Sequence, residues 1–142
     1  IEILCSDAGI HMGGPFSRDD AFADFATCVG LWLLRGHGLW AVETLDTAET
    51  IGFVLIGFEP GDREPELGFM FLDPAQGHGF ATEAAIAARD HALGTLRLPS
   101  LVSYIAPENH ASITLAQRLG ATRDGVIDGC EVWRHHPKGP QA

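Results

Sequence analysis

The chain has 142 residues, 46% of them hydrophobic, which suits one domain, residues 1–142, around one core. Its net charge of −10 argues against a general nucleic-acid binder, which needs a basic surface to meet phosphates, and is compatible with a cationic partner such as an amine. No apolar run approaches the ~20 residues that a membrane helix needs, and no secretory signal is visible, so no membrane partner is expected.

The first predicted element lies in GPFSRDDAFADFATCVGLWLLRGHG (14–38). Ser17 is a good N-cap, and Asp19 and Asp20 sit in the first turn, where the helix dipole favours negative charge. Phe22, Phe25, Ala26, Val29 and Leu33 recur at helical spacing, which predicts an amphipathic helix laid on a sheet. Gly36 and Gly38 end it. GLWAVET (38–44) and TIGFVLIGF (50–58) read as strands joined by a short polar turn, hence a hairpin. EPGDREP (59–65) is a turn by composition, and ELGFMFL (66–72) is a third strand.

TEAAIAARDHALGTL (82–96) is alanine-rich and reads as a helix. Ala81, Ala84, Ala85, Ala88 and Ala92 give it a small-residue face that can press close to a sheet. SLVSYIAPEN (100–109) reads as a strand broken at Pro107, and HASITLAQRLG (110–120) as a helix ended by Gly120. ATRDGVIDGCEVWRHH (121–136) gives two short strands turning near Asp128–Gly129, and KGPQA is a tail. The order is helix, three antiparallel-looking strands, helix, strand, helix, two strands. That is a mixed α/β sheet and not a regular βαβ repeat.

Cys5, Cys28 and Cys130 are far apart and odd in number, with no zinc-ligand spacing, so reduced thiols in a cytoplasmic protein are the plain reading. His135 and His136 are adjacent, and adjacent strand side chains point to opposite faces, which argues against a metal pair. No metal is expected.

The stretch DPAQGHGFATEA (73–84) joins a strand to a helix through Gly77 and Gly79. A helix that starts near Phe80 or Ala81 leaves its first N–H groups without partners, and these donors, with the dipole, make an anion site. Glycines let the preceding backbone curl so that N–H groups converge and an anion can approach without a β-carbon in the way. The stretch suits a phosphate or pyrophosphate, although two glycines also serve a tight turn before a helix. GxxxxGK[ST] is absent, and GHGFAT lacks the third glycine of GxGxxG.

Gln76-Gly77-His78-Gly79-Phe80-Ala81 fits Q/R-x-x-G-x-G/A, the acyl-CoA signature of the GNAT N-acetyltransferases. The preceding ELGFMFL, the following TEA and the later IAPENHASITLAQRLGA also match. The set most resembles the RimJ/RimL type, the ribosomal-protein-alanine acetyltransferases, over roughly residues 8–136. The resemblance implies the GNAT acyl-CoA N-acyltransferase fold, a splayed central sheet flanked by helices, with acetyl-CoA as co-substrate and an amine as acceptor. The backbone near Met70, Phe71 and Leu72 would pair with the pantetheine amides in the manner of an added strand. The amides of residues 76–81 (Gln76, Gly77, His78, Gly79, Phe80, Ala81), with Thr82, would hold the pyrophosphate. Asn109 would lie near the pantetheine, and is equally a capping Asn for HASITL.

The chemistry implied is direct attack by a neutral amine on the thioester carbonyl. Glu66 matches a carboxylate that often begins this strand and would act as general base, directly or through water; an exposed strand-end Glu paired with an arginine is the plainer alternative. Ala116 stands where many members carry an acidic tyrosine. The only tyrosine, Tyr104, lies on a strand and reads as core. Ser112 matches a serine common in the RimJ/RimL type and would hydrogen-bond the sulfur or a water beside it; it is otherwise a first-turn helix residue. Trp40, Phe53 and Phe69 are strand aromatics that line either the core or the acceptor cavity.

The family strand and helix that usually precede SDAGIHMGGPFSRDD are apparently missing, so the chain is truncated, or that piece is disordered, or the domain is shortened. A missing edge strand would expose a sheet edge, which raises homodimerisation as a hypothesis. The leading reading is an N-acetyltransferase acting on a protein N-terminus or a small amine. A non-catalytic acyl-CoA-binding or sensing domain of the same fold, and a nucleotide-binding domain of another fold, are the alternatives.

Overall fold

A computed structural model describes residues 1–72 and 75–138, Ala8 by its backbone alone. The expectations for Asp73, Pro74 and the end of the tail lie outside these residues. Helix α1 (Glu2–Cys5) and a 3-10 turn (Asp7–Met12) precede α2 (Arg18–Arg35). Three strands follow, β1 (Leu39–Glu43), β2 (Thr50–Gly57) and β3 (Glu66–Phe71). Then come α3 (Phe80–Asp90) with a π-helical end (His91–Thr95), β4 (Val102–Ile105), α4 (His110–Arg118), β5 (Thr122–Ile127) and β6 (Cys130–Arg134).

The six strands form one sheet in the order β1-β2-β3-β4-β6-β5. Only β3 and β4 run parallel; the other pairs are antiparallel. This is the mixed, helix-flanked sheet that the element order predicts. The Asp128–Gly129 turn joins β5 to β6 with φ of 50° and 82°, the paired positive angles that a tight hairpin favours.

The β2–β3 register sets Phe53 against Met70, Leu55 against Gly68 and Gly57 against Glu66. Strand alternation therefore puts Glu66, Gly68 and Met70 on one face and Leu67, Phe69 and Phe71 on the other. The second face carries the main core, in which Val54, Ile56, Leu67, Phe71 and Leu101 meet Ala85, Ala88 and Ala92 of α3 and Leu115 of α4. The small-residue face of α3 is thus buried as its spacing predicts. The helix expected to continue to residue 96 widens to π geometry from His91. Arg89 is buried and ties α3 to the end of α4 by donating to the Leu119 carbonyl at 2.6 Å, with Asp90 balancing its charge at 2.7 Å.

Helix α2 begins as predicted, with the Ser17 hydroxyl accepting from the Asp20 N–H at 3.2 Å, and ends at Gly36 in the left-handed conformation. Its apolar stripe departs from expectation. Phe22, Phe25, Val29 and Leu33 are exposed, Leu33 to 91%, while the helix is buried through Ala21, Cys28 and Leu31. Periodicity identified the helix but not its buried side. The helix meets its neighbours along the narrow Ala21–Cys28–Leu31 line, one to two turns apart, and the larger side chains project away from it. Among the described residues, no helix is long and apolar enough to cross a membrane.

The sheet opens between β3 and β4. These strands pair only at Glu66 with Val102 and then part. The closed end is held by the Val102 N–H donating to the Pro65 carbonyl at 3.0 Å, and by Arg134 gripping Glu64 with two bonds of 2.7 and 3.1 Å.

Candidate active site

A groove of about 950 Å³ lies across the open end of this fork. It has two chemically different ends. One is the loop between β3 and α3, where Gly77 and Gly79 take φ of 81° and 79°. Side chains rarely adopt this left-handed region, so glycine is needed at both positions. A β-carbon on either would meet no atom of the described residues within 4 Å, so the space beside the loop is open to a ligand. Gly79 is the N-cap of α3 and offers no side chain to the first turn. The donors of that turn, backed by the helix dipole, fit a pyrophosphate. Gln76, Gly77, Gly79, Phe80, Ala81 and Thr82 all line the groove. His78 stands outside it, exposed, with its ring 5.7 Å from that of Phe80.

The wall between the ends is β3 and the β4–α4 junction. Met70 and Phe71 line the groove. Leu72 does not, and its N–H is committed to the Ile51 carbonyl of β2 at 2.9 Å, which removes this amide from those a ligand could pair with. Asn109 and Ser112 line the groove together. Asn109 is the N-cap of α4, its Oδ1 accepting from the Ser112 N–H at 3.2 Å, so it both caps the helix and faces the cavity.

The other end is acidic. Glu66 of β3 lies within electrostatic reach of Glu59, in the turn after β2, and Glu59 within reach of Asp24 of α2. All three line the groove, as does Asp7 of the 3-10 turn. Burial raises the Glu66 carboxyl to about 7, opposed by the Tyr104 N–H and reinforced by the charges of Asp62 and Glu59. Burial, then Asp62 and Asp24, raises Glu59 as well. The Cys28 thiol is pushed up to about 11 by burial and then by Asp24 and Glu59, so it stays protonated and is no nucleophile. The ion pairs of the described residues lie elsewhere. Glu66 is therefore not the arginine-paired surface residue of the plainer alternative.

Two groups escaped the sequence reading. Tyr104, expected in the core, is half-buried and lines the groove with its backbone beside Glu66. Burial, then Glu64 and Glu66, raises its hydroxyl, so it stays protonated. Ser103, buried on β4, also reaches the groove wall. Strand alternation puts Ser103 and Tyr104 on opposite faces of β4, but does not show that the fork uncovers both. Of the three strand aromatics, Phe69 reaches the groove, whereas Trp40 and Phe53 stand outside it. Trp40 packs on the core between Trp32, at 4.8 Å, and His91, at 5.7 Å. No group of three or more potential metal ligands occurs among the described residues.

A mixed sheet forked between its parallel strands, with a glycine loop and an uncapped helix N-terminus at the fork, defines the class of acyl-CoA transferases that the motif suggested. The chain belongs to the acetyltransferase (GNAT) domain family, whose model matches residues 2–122. An acetyltransferase from Agrobacterium tumefaciens str. C58 has a similar structure, with a TM-score of 0.89 and 35% identity over 95% of this chain and 81% of that one. YkkB, an uncharacterised protein of Bacillus subtilis (strain 168), is 34% identical over 61% of this chain and 52% of its own length. The uncharacterised N-acetyltransferase YoaA of the same organism is 26% identical over 78% of this chain and 63% of its own. The chain thus spans about half to two-thirds of the length of these curated relatives.

Proposed function

We propose that the chain transfers an acetyl group from acetyl-CoA to a cationic primary amine by direct attack. The observation that carries this reading is one continuous groove with an anion cradle at one end and a carboxyl raised to about 7 at the other. Acetyl-CoA, when bound, supplies the thioester whose carbonyl carbon is attacked and whose thiolate leaves. Gly77, Gly79 and the first turn of α3 hold the pyrophosphate, and the β3 backbone near Met70 and Phe71 orients the pantetheine arm. Asp7, Asp24 and Glu59 draw the acceptor's ammonium to the far end. Glu66 takes its proton, directly or through water, and a base that titrates near neutrality is matched to this task. Ser112 hydrogen-bonds the sulfur or a water beside it, and protonated Tyr104 stands on the acceptor side.

The acidic end favours acceptors that carry positive charge close to the amine, whether a small amine or a basic protein N-terminus of the RimJ/RimL kind. A sensing domain that binds acyl-CoA without turnover is a second reading, favoured by the buried Ala116 where the family often has a tyrosine. Thiol release from acetyl-CoA over a panel of amines, beside thermal unfolding with and without acetyl-CoA, tests both. Amine-dependent release together with stabilisation supports the transferase. Stabilisation with no release from any amine favours the sensor. Neither effect at millimolar acetyl-CoA overturns the proposal.

A further inference from the structure

The fork is closed off by side chains where a backbone rung is missing. In an unbroken parallel ladder, the rung after the Val102 N–H to Pro65 carbonyl bond would join the Tyr104 N–H to the Leu67 carbonyl. Here the Leu67 carbonyl accepts instead from the Ser103 hydroxyl at 2.6 Å. The Tyr104 N–H is turned toward Glu66 Oε1, at a long 3.5 Å. Both backbone groups of the lost rung are thus taken by side chains at the point where the strands part.

Ser103 does not act alone. Its Oγ lies 2.8 Å from His135 Nε2. The single hydroxyl proton is given to the Leu67 carbonyl, which can only accept, so Oγ must accept from the imidazole. That requires the Nε2–H tautomer, with a bare Nδ1, and Nδ1 is buried without a partner among the described residues. Ser103 and His135 are 2% and 4% exposed. Burial, then Arg89 and His136, keeps the ring neutral, its pKa lowered to about 4.

We infer that Ser103 and His135 are positioning residues that fix the mouth of the β3–β4 fork through the Leu67 carbonyl, and so set the β3 backbone against which the cofactor's arm lies. The inference rests on the acetyl-CoA reading above. A serine alone would serve as a rotating strand-end cap. The imidazole donor removes that rotation, because Oγ keeps both bonds in only one hydroxyl orientation.

The test uses the full chain and acetyl-CoA. Ser103→Ala and His135→Leu each weaken acetyl-CoA binding about tenfold by calorimetry, the size of one buried hydrogen bond. The fall in kcat at saturating acetyl-CoA is expected to be smaller than the rise in KM. The double variant is no worse than Ser103→Ala, since one chain of bonds is broken either way. His135→Gln, whose amide can donate as Nε2–H does, restores most of the affinity. Proton–nitrogen correlation spectra of the wild-type imidazoles, which need no variant, give His135 as the Nε2–H tautomer. Folded variants with wild-type affinity, lowered only in melting temperature, overturn the inference, as does an Nδ1–H tautomer. Absence of acetyl-CoA binding by the wild-type chain overturns the cofactor reading and this inference with it. Binding by the wild type with unchanged variants overturns this inference alone.

Discussion

On the proposed reading, the two ends of the groove recognise charge by different means. The loop end uses backbone: left-handed Gly77 and Gly79 and the N-terminus of α3, with no lysine or arginine from the motif. The far end uses side chains, with Asp24, Glu59 and Glu66 brought together from three segments and Asp7 lining the same groove. Backbone N–H donors do not titrate, so the loop end is insensitive to pH. At the far end, burial and then neighbouring negative charge raise Glu66 and Glu59, so that end is sensitive to it. A groove with one fixed and one titratable end can keep its cofactor while acceptor chemistry follows pH.

Replacing Glu66 should separate the ends most sharply. Glu66→Gln is expected to lower kcat by at least about a hundredfold, the scale of a lost general base, and to leave the Kd of acetyl-CoA unchanged. The wild-type rate should rise with pH through about 7 as Glu66 ionises, and the variant's profile should lose that limb. A retained limb would assign the titration to another group.

The same substitution bears on stability. The folded pKa of about 7 lies above the unfolded value near 4.5. The stability contributed by protonated Glu66 is therefore complete below the unfolded value and is lost as pH rises through about 7. At pH well above 7, Glu66→Gln should be more stable than the wild type by on the order of 3 kcal/mol. Urea midpoints across the pH range measure this.

At the loop end, Gly79→Ala forces a side chain into a left-handed angle at about 1–2 kcal/mol. Acetyl-CoA binding should weaken about tenfold, with the KM of the amine unmoved. Equal loss on both substrates would mean that the loop end also shapes the acceptor site. The smallest effect is expected from Glu59→Gln with Asp24→Asn, a few-fold rise in the KM of a doubly charged amine that shrinks as salt is added. An uncharged-tail amine should show no such rise, which singles out the acidic end.

Much of this arrangement was legible in residues close together in sequence. The Ser17 cap, the Asp128–Gly129 turn, the alanine face of α3 and the glycine loop each act locally, so their spacing carried their meaning. The covering of α2 was not legible, because period identifies a stripe but not what meets it. Nor was the acidic end, since Asp7, Asp24, Glu59 and Glu66 share no local pattern. Tyr104 was misplaced, and Ser103 passed over, for the same reason. A strand's alternation gives two faces, and only the parting of β3 from β4 brings residues of both, Ser103 and Tyr104, to the groove.

The tryptophans have a practical consequence for anyone studying this protein by light. Trp32 and Trp40 meet edge to face at 4.8 Å, with the Trp32 indole N–H donating to the Leu39 carbonyl, and Trp133 donates to Glu131 in the second core cluster. None of the three lines the groove. Near-ultraviolet dichroism from the coupled pair and total emission should therefore report assembly of the sheet, free of contact with an adenine ring. His91 also meets Trp40 edge to face, at 5.7 Å. The molecule carries its own optical gauge of folding, set apart from the groove.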